Sequence, residues 1–416
     1  MTPTFRRVGA DLFCGDVPAR DLADWFGTPL YVYDIRRIES RVRAFQDAFA
    51  GVDHLLAYSV KANGNLTILR CLKDLGCGAD ITSRGELFRA IMAGIPAEQI
   101  VFAGVGKTEE EIEAALEHGI YSFNVESRGE LERIDQVASR TGHMARFAIR
   151  VNPDVFAETP HEYTRTGQAT TKFGVPRDET PGLYEWASAR KHLQPVGIDV
   201  HIGSQIVDPA PYVRALDRVL EVVEELKGLG VTLEYLDIGG GYGIRCEGEA
   251  GIDVSALAAE LVPRVKAAGL RLILEPGRSL VGDAGILLTR VQYVKESGGK
   301  TFVIVDGGMS ELIRPSHYGG YHSVELAAGL GEGTERVVDV VGPICETGDF
   351  LARDRSMTLP EPGDLLAVRT VGAYGFAMAS NYNGRLRPAE AMVDGTDVTL
   401  IRTRETLEDL IRGEGG

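Results

Sequence analysis

The sequence predicts an α/β chain: a closed (β/α)₈ barrel of the TIM type followed by a mostly antiparallel C-terminal β domain. Three observations predict it. From about residue 55, short β-rich runs alternate with longer segments of helical spacing. Several of those segments open on a helix-capping string placed just after a run. Beyond about residue 285 the long helical segments stop while strand-like runs continue.

The barrel runs are Leu55–Val60, Gly78–Thr82, Ile100–Gly104, Tyr121–Val125, Arg146–Asn152, Val196–Ile202, Tyr235–Gly239 and Leu272–Glu275. Between them, Glu109–Glu117 and Tyr212–Leu229 carry Leu, Ile and Ala at helical spacing. Ser83-Arg84-Gly85-Glu86, Thr108-Glu109-Glu110-Glu111 and Ser127-Arg128-Gly129-Glu130 all have the S/T-x-x-E form of a capping box. The string Ser-Arg-Gly-Glu-Leu occurs at 83–87 and again at 127–131, an echo of repeated βα construction. Later, Ile286–Val294, Phe302–Val305, Arg336–Val341, Leu365–Val371 and Val398–Arg402 read as strands. The expected division is a barrel over 35–284 and a β domain over 285–416, to which 1–34 adds a strand at Pro29–Tyr33. Periodicity alone leaves a doubly wound open sheet as the alternative.

The chain of 416 residues carries 44 basic and 60 acidic side chains, a net charge of −16. That balance repels phosphate backbones and argues against a nucleic-acid partner. Its five cysteines (Cys14, Cys71, Cys77, Cys246, Cys345) show no ligand spacing, so neither a disulfide framework nor a metal site is expected. No apolar run suits a signal peptide or a membrane span, which points to a cytoplasmic protein without a membrane partner.

The chemistry-bearing strings cluster at the ends of the barrel runs. Ala57-Tyr58-Ser59-Val60-Lys61 ends the first run on a lysine. Such a lysine is commonly a solvated flank, but at a barrel mouth its apolar approach would desolvate it and leave a nucleophilic amine. Gly239-Gly240-Gly241 follows the seventh run, where absent Cβ atoms let backbone amides approach a phosphate; the plain alternative is a tight turn. Glu275-Pro276-Gly277-Arg278 after the eighth run adds a carboxylate, an accessible amide and a guanidinium able to fork onto an anion. His201 closes the sixth run in His201-Ile202-Gly203-Ser204, where an imidazole can stack on a flat cofactor or simply fill the core. Gly104-Val105-Gly106-Lys107-Thr108 lacks the first glycine of a phosphate-binding loop, and His161-Glu162 lacks the second histidine of a zinc site.

Taken together these strings resemble the diaminopimelate decarboxylase family, within the alanine-racemase-like, fold type III pyridoxal-phosphate enzymes. The resemblance runs from Leu30-Tyr31-Val32-Tyr33-Asp34 to Asn381-Tyr382-Asn383. Its most specific parts are Asp306-Gly307-Gly308-Met309, Leu312 to Gly319, Gly342-Pro343-Ile344-Cys345-Glu346-Thr347-Gly348-Asp349 and Gly372-Ala373-Tyr374-Gly375. It implies pyridoxal 5′-phosphate as cofactor, carried covalently by Lys61, with His201 on the ring face and Glu275 at the ring nitrogen. It also implies that Gly239, Gly240, Gly241 and Gly277 hold the phosphate, with Asp80, Ser204 and Arg278 further cofactor-side residues. Tyr374 would meet both cofactor and substrate. Arg278, Arg314 and Tyr318 match positions that grip substrate carboxylates. Cys345 and Glu346 match a pair delivered across a homodimer interface, with Cys345 as proton donor; a free cysteine is otherwise most often a small buried hydrophobe.

The implied activity is decarboxylation of meso-2,6-diaminopimelate at its D-centre, giving L-lysine and CO₂ in lysine biosynthesis. Two departures bear on substrate fit: Thr347 stands where a serine is usual, and Arg165, within Thr164-Arg165-Thr166, where the family often has a smaller uncharged residue. They keep open a sister decarboxylase for another acidic or carrier-bound amino acid. A racemase of the same class would favour arginine over Glu275. A non-catalytic pyridoxal-phosphate-binding homologue would be expected to lose Lys61 or Cys345.

Overall fold

The computed structural model describes residues 4–159, 161, 171–245, 250–329 and 334–415. Thr164, Arg165, Thr166 and Cys246 lie outside them. The chain divides into two compact units, one of 41–244 and 250–279, the other of 1–40, 245–249 and 280–416.

In the first unit the eight expected runs are eight parallel strands: β1 (His54–Ser59), β2 (Gly78–Ile81), β3 (Ile100–Phe102), β4 (Ser122–Val125), β5 (Ala145–Asn152), β6 (Leu193–Asp199), β7 (Tyr235–Asp237) and β8 (Arg271–Leu274). Each pairs with its successor, and Leu272–Leu274 of β8 pairs with His54–Leu56 of β1, so the sheet is a closed barrel rather than an open one. Alternating apolar side chains fill it, among them Leu55, Val101, Ala148, Val196, Tyr235 and Ile273. Gly197 of β6 is required by this packing, because a Cβ there would stand 2.2 Å from the Tyr235 ring. Several strands stop earlier than their sequence runs suggested: β6 ends at Asp199 and β7 at Asp237. The residues that follow leave the ladder and become the loops that carry His201 and the triple glycine.

Helices α1 (Leu66–Asp74), α2 (Arg84–Ala93), α3 (Glu109–His118), α4 (Arg128–Thr141), α5 (Thr180–Ser188), α6 (Ala210–Gly228) and α7 (Val254–Ala268) follow the strands. Thr108 and Glu111 form the expected reciprocal capping box on α3. Ser83 and Ser127 do accept from the backbone of Glu86 and Glu130. Their glutamates, however, reach one residue further back, to the amides of Thr82 (2.6 Å) and Glu126 (2.9 Å). The repeated Ser-Arg-Gly-Glu-Leu string therefore builds one device twice, tying each helix start to the end of the preceding strand.

In the second unit, Gly285–Ser297 is the central strand. It pairs antiparallel with Leu30–Asp34, Lys300–Val305 and Leu365–Arg369. The N-terminal strand joins this sheet, as its sequence suggested. Phe350–Thr358, Ala389–Asp394 and Val324–Leu326 are strands that sequence reading did not single out. Among the described residues of this unit, only the pairings of Leu30–Asp34 with Ala389–Asp394 and of Lys300–Val305 with Glu335–Val341 are parallel. Leu30, Val32, Ile286, Leu288, Ala367 and Ala391 form the core beneath it.

No helix among the described residues is long and apolar enough to cross a membrane. The Gly-Val-Gly-Lys-Thr string has a structural use. Lys107 Nζ is buried and bonds Gly104 O (2.8 Å), Asn124 O (2.8 Å) and Glu130 Oε1 (2.7 Å). Its side chain is 1% exposed. Replacing Glu130 by alanine leaves that ammonium buried without its counter-charge, and should cost about 3–5 kcal/mol of unfolding free energy. Urea unfolding checks this, and a loss below about 1 kcal/mol would contradict it.

Candidate active site

The barrel places polar side chains at the C-terminal ends of its strands, where this fold gathers functional groups. Ser59 ends β1, Asp80 lies in β2, Asn124 in β4, Arg150 in β5, Asp199 ends β6 and Asp237 ends β7. Lys61, Glu126, His201 and Glu275 come from the segments just beyond the strands.

Lys61 Nζ lies 3.0 Å from Asp80 Oδ2, and Asp80 is completely buried. Ser59 Oγ approaches the same oxygen at 2.8 Å and Glu275 O at 3.0 Å. Sequence reading expected a desolvated lysine. Its side chain is instead 38% exposed and paired with a carboxylate. The apolar residues before it line β1 and do not enclose its head group.

His201 Nδ1 accepts from the Gly240 amide at 3.0 Å, and its own carbonyl lies 3.4 Å from Arg150 Nη2. Burial, then the charges of Arg150 and Lys61, hold its pKa well below the ordinary value, so the imidazole is neutral. Arg150 forms a buried ion pair with Glu126 at 2.8 Å, and Glu126 also accepts from the Gly174 amide at 2.7 Å.

The triple-glycine loop is held from beneath. The Gly239 amide donates to Asp237 Oδ1 at 2.8 Å, and the carbonyls of Gly239 and Gly240 accept from Tyr242 and Tyr212. A Cβ on Gly241, whose φ is +91°, would stand 2.0 Å from Gly203 O. Two of the three glycine amides are thus engaged by Asp237 and His201, and the loop owes its shape to the missing side chains. Arg278 Nη2 lies 3.3 Å from Ser204 Oγ, which joins the loops after β6 and β8.

Glu275 is 4% exposed. Oxygens of Asp199, Asp237 and Glu275 lie within 4.8 Å of one another. Asn124 Nδ2 bridges Asp237 Oδ2 and Glu275 Oε1, both at 3.2 Å. Burial first, then the neighbouring carboxylates, raises the pKa of Glu275 and Asp199 well above the ordinary range. Burial also raises Asp237 to about 6. Among the described residues, Asp80 Oδ1 and Asp199 Oδ1 are buried without a hydrogen-bond partner.

The second unit carries the remaining expected residues. Arg314 opens the short helix Arg314–Tyr318, with its guanidinium 5.8 Å from the Tyr318 ring centroid and Nε 3.4 Å from His322 Nε2. Ser316 Oγ donates to Gly348 O at 2.5 Å, joining this helix to the loop of Cys345 and Glu346. Asp349 pins that loop by accepting from the amides of Met309 and Ile344, both at 2.6 Å. Cys345 and Glu346 are exposed; the Cys345 amide donates to Asn383 Oδ1 at 3.2 Å, and Tyr382 Oη donates to Glu346. Tyr374 is half-buried, with a left-handed φ of +56°. Sequence reading missed Ser59, Asn124, Arg150, Asp199 and Asp237, because a polar residue near the C-terminal end of a barrel strand stands out only once the layering of the closed barrel is known.

A family model described as "Pyridoxal-dependent decarboxylase, pyridoxal binding domain" matches residues 35–282. The diaminopimelate decarboxylase of Pseudomonas aeruginosa is 48% identical over 99% of this chain and 98% of its own. The chain belongs to this decarboxylase family. Among solved structures, the diaminopimelate decarboxylase of Helicobacter pylori in complex with L-lysine superposes with a TM-score of 0.91 at 41% identity, covering 94% of this chain and 98% of its own. That of M. jannaschii, also with L-lysine, gives 0.94 at 37%, covering 99% and 98%. Membership makes pyridoxal phosphate the cofactor, and the barrel residues fit it. Glu275 and its neighbours form a buried acidic group short of a cation, which a protonated ring nitrogen supplies. Lys61 offers an amine at the same mouth.

The raised pKa values carry a stability signature. A carboxyl group whose pKa is higher folded than unfolded binds more protons in the folded state. Its contribution is complete below about pH 4 and is lost as pH rises, through about 6 for Asp237, with Glu275 and Asp199 raised in the same direction. Acidifying the cofactor-free protein from about pH 8 to about pH 6 should raise the Tm of the wild type relative to that of Glu275→Gln, because the opposing protonation of His201 in the unfolded chain is common to both. Calorimetry checks this; a Tm difference between the two proteins that does not change with pH would contradict it.

Proposed function

We propose that this chain acts in the cytoplasm on meso-2,6-diaminopimelate, removing the carboxylate of the D-centre to give L-lysine and CO₂. The observation that carries this reading is likeness along the whole length to diaminopimelate decarboxylases, covering both the barrel and the unit that bears Arg314 and Cys345. Pyridoxal phosphate, when bound, supplies an electron-poor ring able to take up the electron pair left by departing CO₂.

The chain's own residues do the rest. Lys61 holds the cofactor through its amine and Asp80 orients that lysine. Glu275 faces the ring nitrogen and keeps it protonated, and neutral His201 lies on the ring face. The loops of Ser204, Gly239, Gly240, Gly241, Gly277 and Arg278 hold the phosphate. Arg278, Arg314 and Tyr318 grip the substrate carboxylates, Tyr374 contacts cofactor and substrate, and Glu346 binds the substrate. Cys345 delivers the proton that replaces CO₂ at Cα. A distal carboxylate gains a charge-assisted pair with Arg314, whereas the distal ammonium of ornithine would meet like charge there.

Cys345 and Glu346 act in the site of a second copy of the chain in a homodimer. Their exposure on a loop pinned by Asp349 and Asn383 supports this.

Holoenzyme incubated with meso-diaminopimelate should release CO₂ and L-lysine in equal amounts; turnover of another amino acid but not this one would overturn the substrate. Lys61→Ala should lose the visible absorbance of bound cofactor, and unchanged colour would overturn its role. Arg314→Ala should raise KM at least roughly tenfold with a smaller change in kcat. Mixed Lys61→Ala and Cys345→Ala chains, each inactive alone, should regain up to about a quarter of wild-type activity, because a mixed dimer keeps one intact site. No recovery would overturn the shared site.

A further inference from the structure

Behind Glu275 stands a second carboxylate with no assigned role. Asp237 and Glu275 are both buried, at 0% and 4% exposure, and the single amide group of Asn124 touches both. Asp237 Oδ1 meanwhile holds the Gly239 amide. We infer that Asp237 and Glu275 form one proton-sharing pair clamped by Asn124, so that the pair, rather than Glu275 alone, is the counter-charge to the cofactor's ring nitrogen. Asp237 and Asn124 are then positioning residues.

The surroundings require it. The charged groups facing the pair are Asp80 from β2, Asp199 from β6, Lys61 after β1, and Arg150 with its partner Glu126 after β4. Lys61 is bonded to Asp80 and Arg150 to Glu126, so no salt bridge reaches Asp199, Asp237 or Glu275 among the described residues. Two adjacent carboxylates in such a place do not both ionise, and a retained proton lets one donate to the other. The arrangement does two jobs. It keeps the cofactor-free barrel from burying two like charges together. It also leaves a single net negative charge to be matched when a protonated ring arrives. Asp237 joins this to the phosphate loop, since the carboxylate that pairs with Glu275 also fixes the turn at Gly239.

The inference rests on Glu275 facing the ring nitrogen. Its test needs no substrate, so failure of the substrate assignment does not touch it. The probe is pyridoxamine 5′-phosphate, which cannot condense with Lys61, titrated into the cofactor-free protein near neutral pH by calorimetry in buffers of different ionisation enthalpy. Wild type already carries the single negative charge that matches the protonated ring and should bind it with little proton release, whereas Asp237→Asn leaves Glu275 to lose its own proton and should release up to about one proton more. Asn124→Ala should weaken binding roughly tenfold or more while circular dichroism stays unchanged. Glu275→Gln should weaken binding as well. If Asp237→Asn keeps the wild-type proton count, or Asn124→Ala the wild-type affinity, Glu275 acts alone and the pair is overturned. If Glu275→Gln binds like wild type, the ring-nitrogen assignment fails and the pair fails with it.

Discussion

Among the described residues, five carboxylates gather at the C-terminal mouth of the barrel and two of them are paired with cations, and that imbalance organises the site. Asp80 takes Lys61 and Glu126 takes Arg150. Asp199, Asp237 and Glu275 are left buried together, the last two bonded to the Asn124 amide. Burying ionised groups without counter-charge is costly, so such a cluster holds protons or awaits a cation. An enzyme whose cofactor brings a protonable ring nitrogen has a use for that state, because the interaction is completed only when the cofactor is present.

The rest of the barrel serves to hold this cluster still. β2, β4 and β6 contribute Asp80, Asn124 and Asp199, and the segment after β8 contributes Glu275, in keeping with the alternate-strand layering of such barrels. Below them an apolar layer that includes Val101, Ala148 and Tyr235 excludes water. Above them, the loops after β6, β7 and β8 are stitched by His201 to Gly240 and by Arg278 to Ser204. Even Lys107, from a string that fails as a phosphate-binding loop, contributes by anchoring the backbone of Asn124.

Much of this was legible in the residues. Strand and helix periodicity located all eight barrel strands, and the glycine and Glu-Pro-Gly-Arg strings marked their loops, because each reflects a local constraint. Side-chain layering across the barrel was not legible. Asn124 sits within Ser-Phe-Asn-Val and Asp199 within Ile-Asp-Val, and neither string announces that barrel closure turns it inward toward Glu275. The same limit explains Lys61, whose flanking sequence is apolar while its partner, Asp80, arrives from the next strand. In the second unit, Phe350–Thr358 was missed because its Arg, Asp, Arg and Ser residues hide the strand periodicity of an exposed face.

The central claim is that buried acid at the barrel mouth holds the cofactor ring in its protonated state. Nitrogen NMR of the holoenzyme loaded with ring-¹⁵N pyridoxal phosphate reads that state directly. The account predicts a protonated ring nitrogen in the wild type, and its loss in Glu275→Gln. An unprotonated nitrogen in the wild type, or a signal indifferent to that substitution, would contradict it.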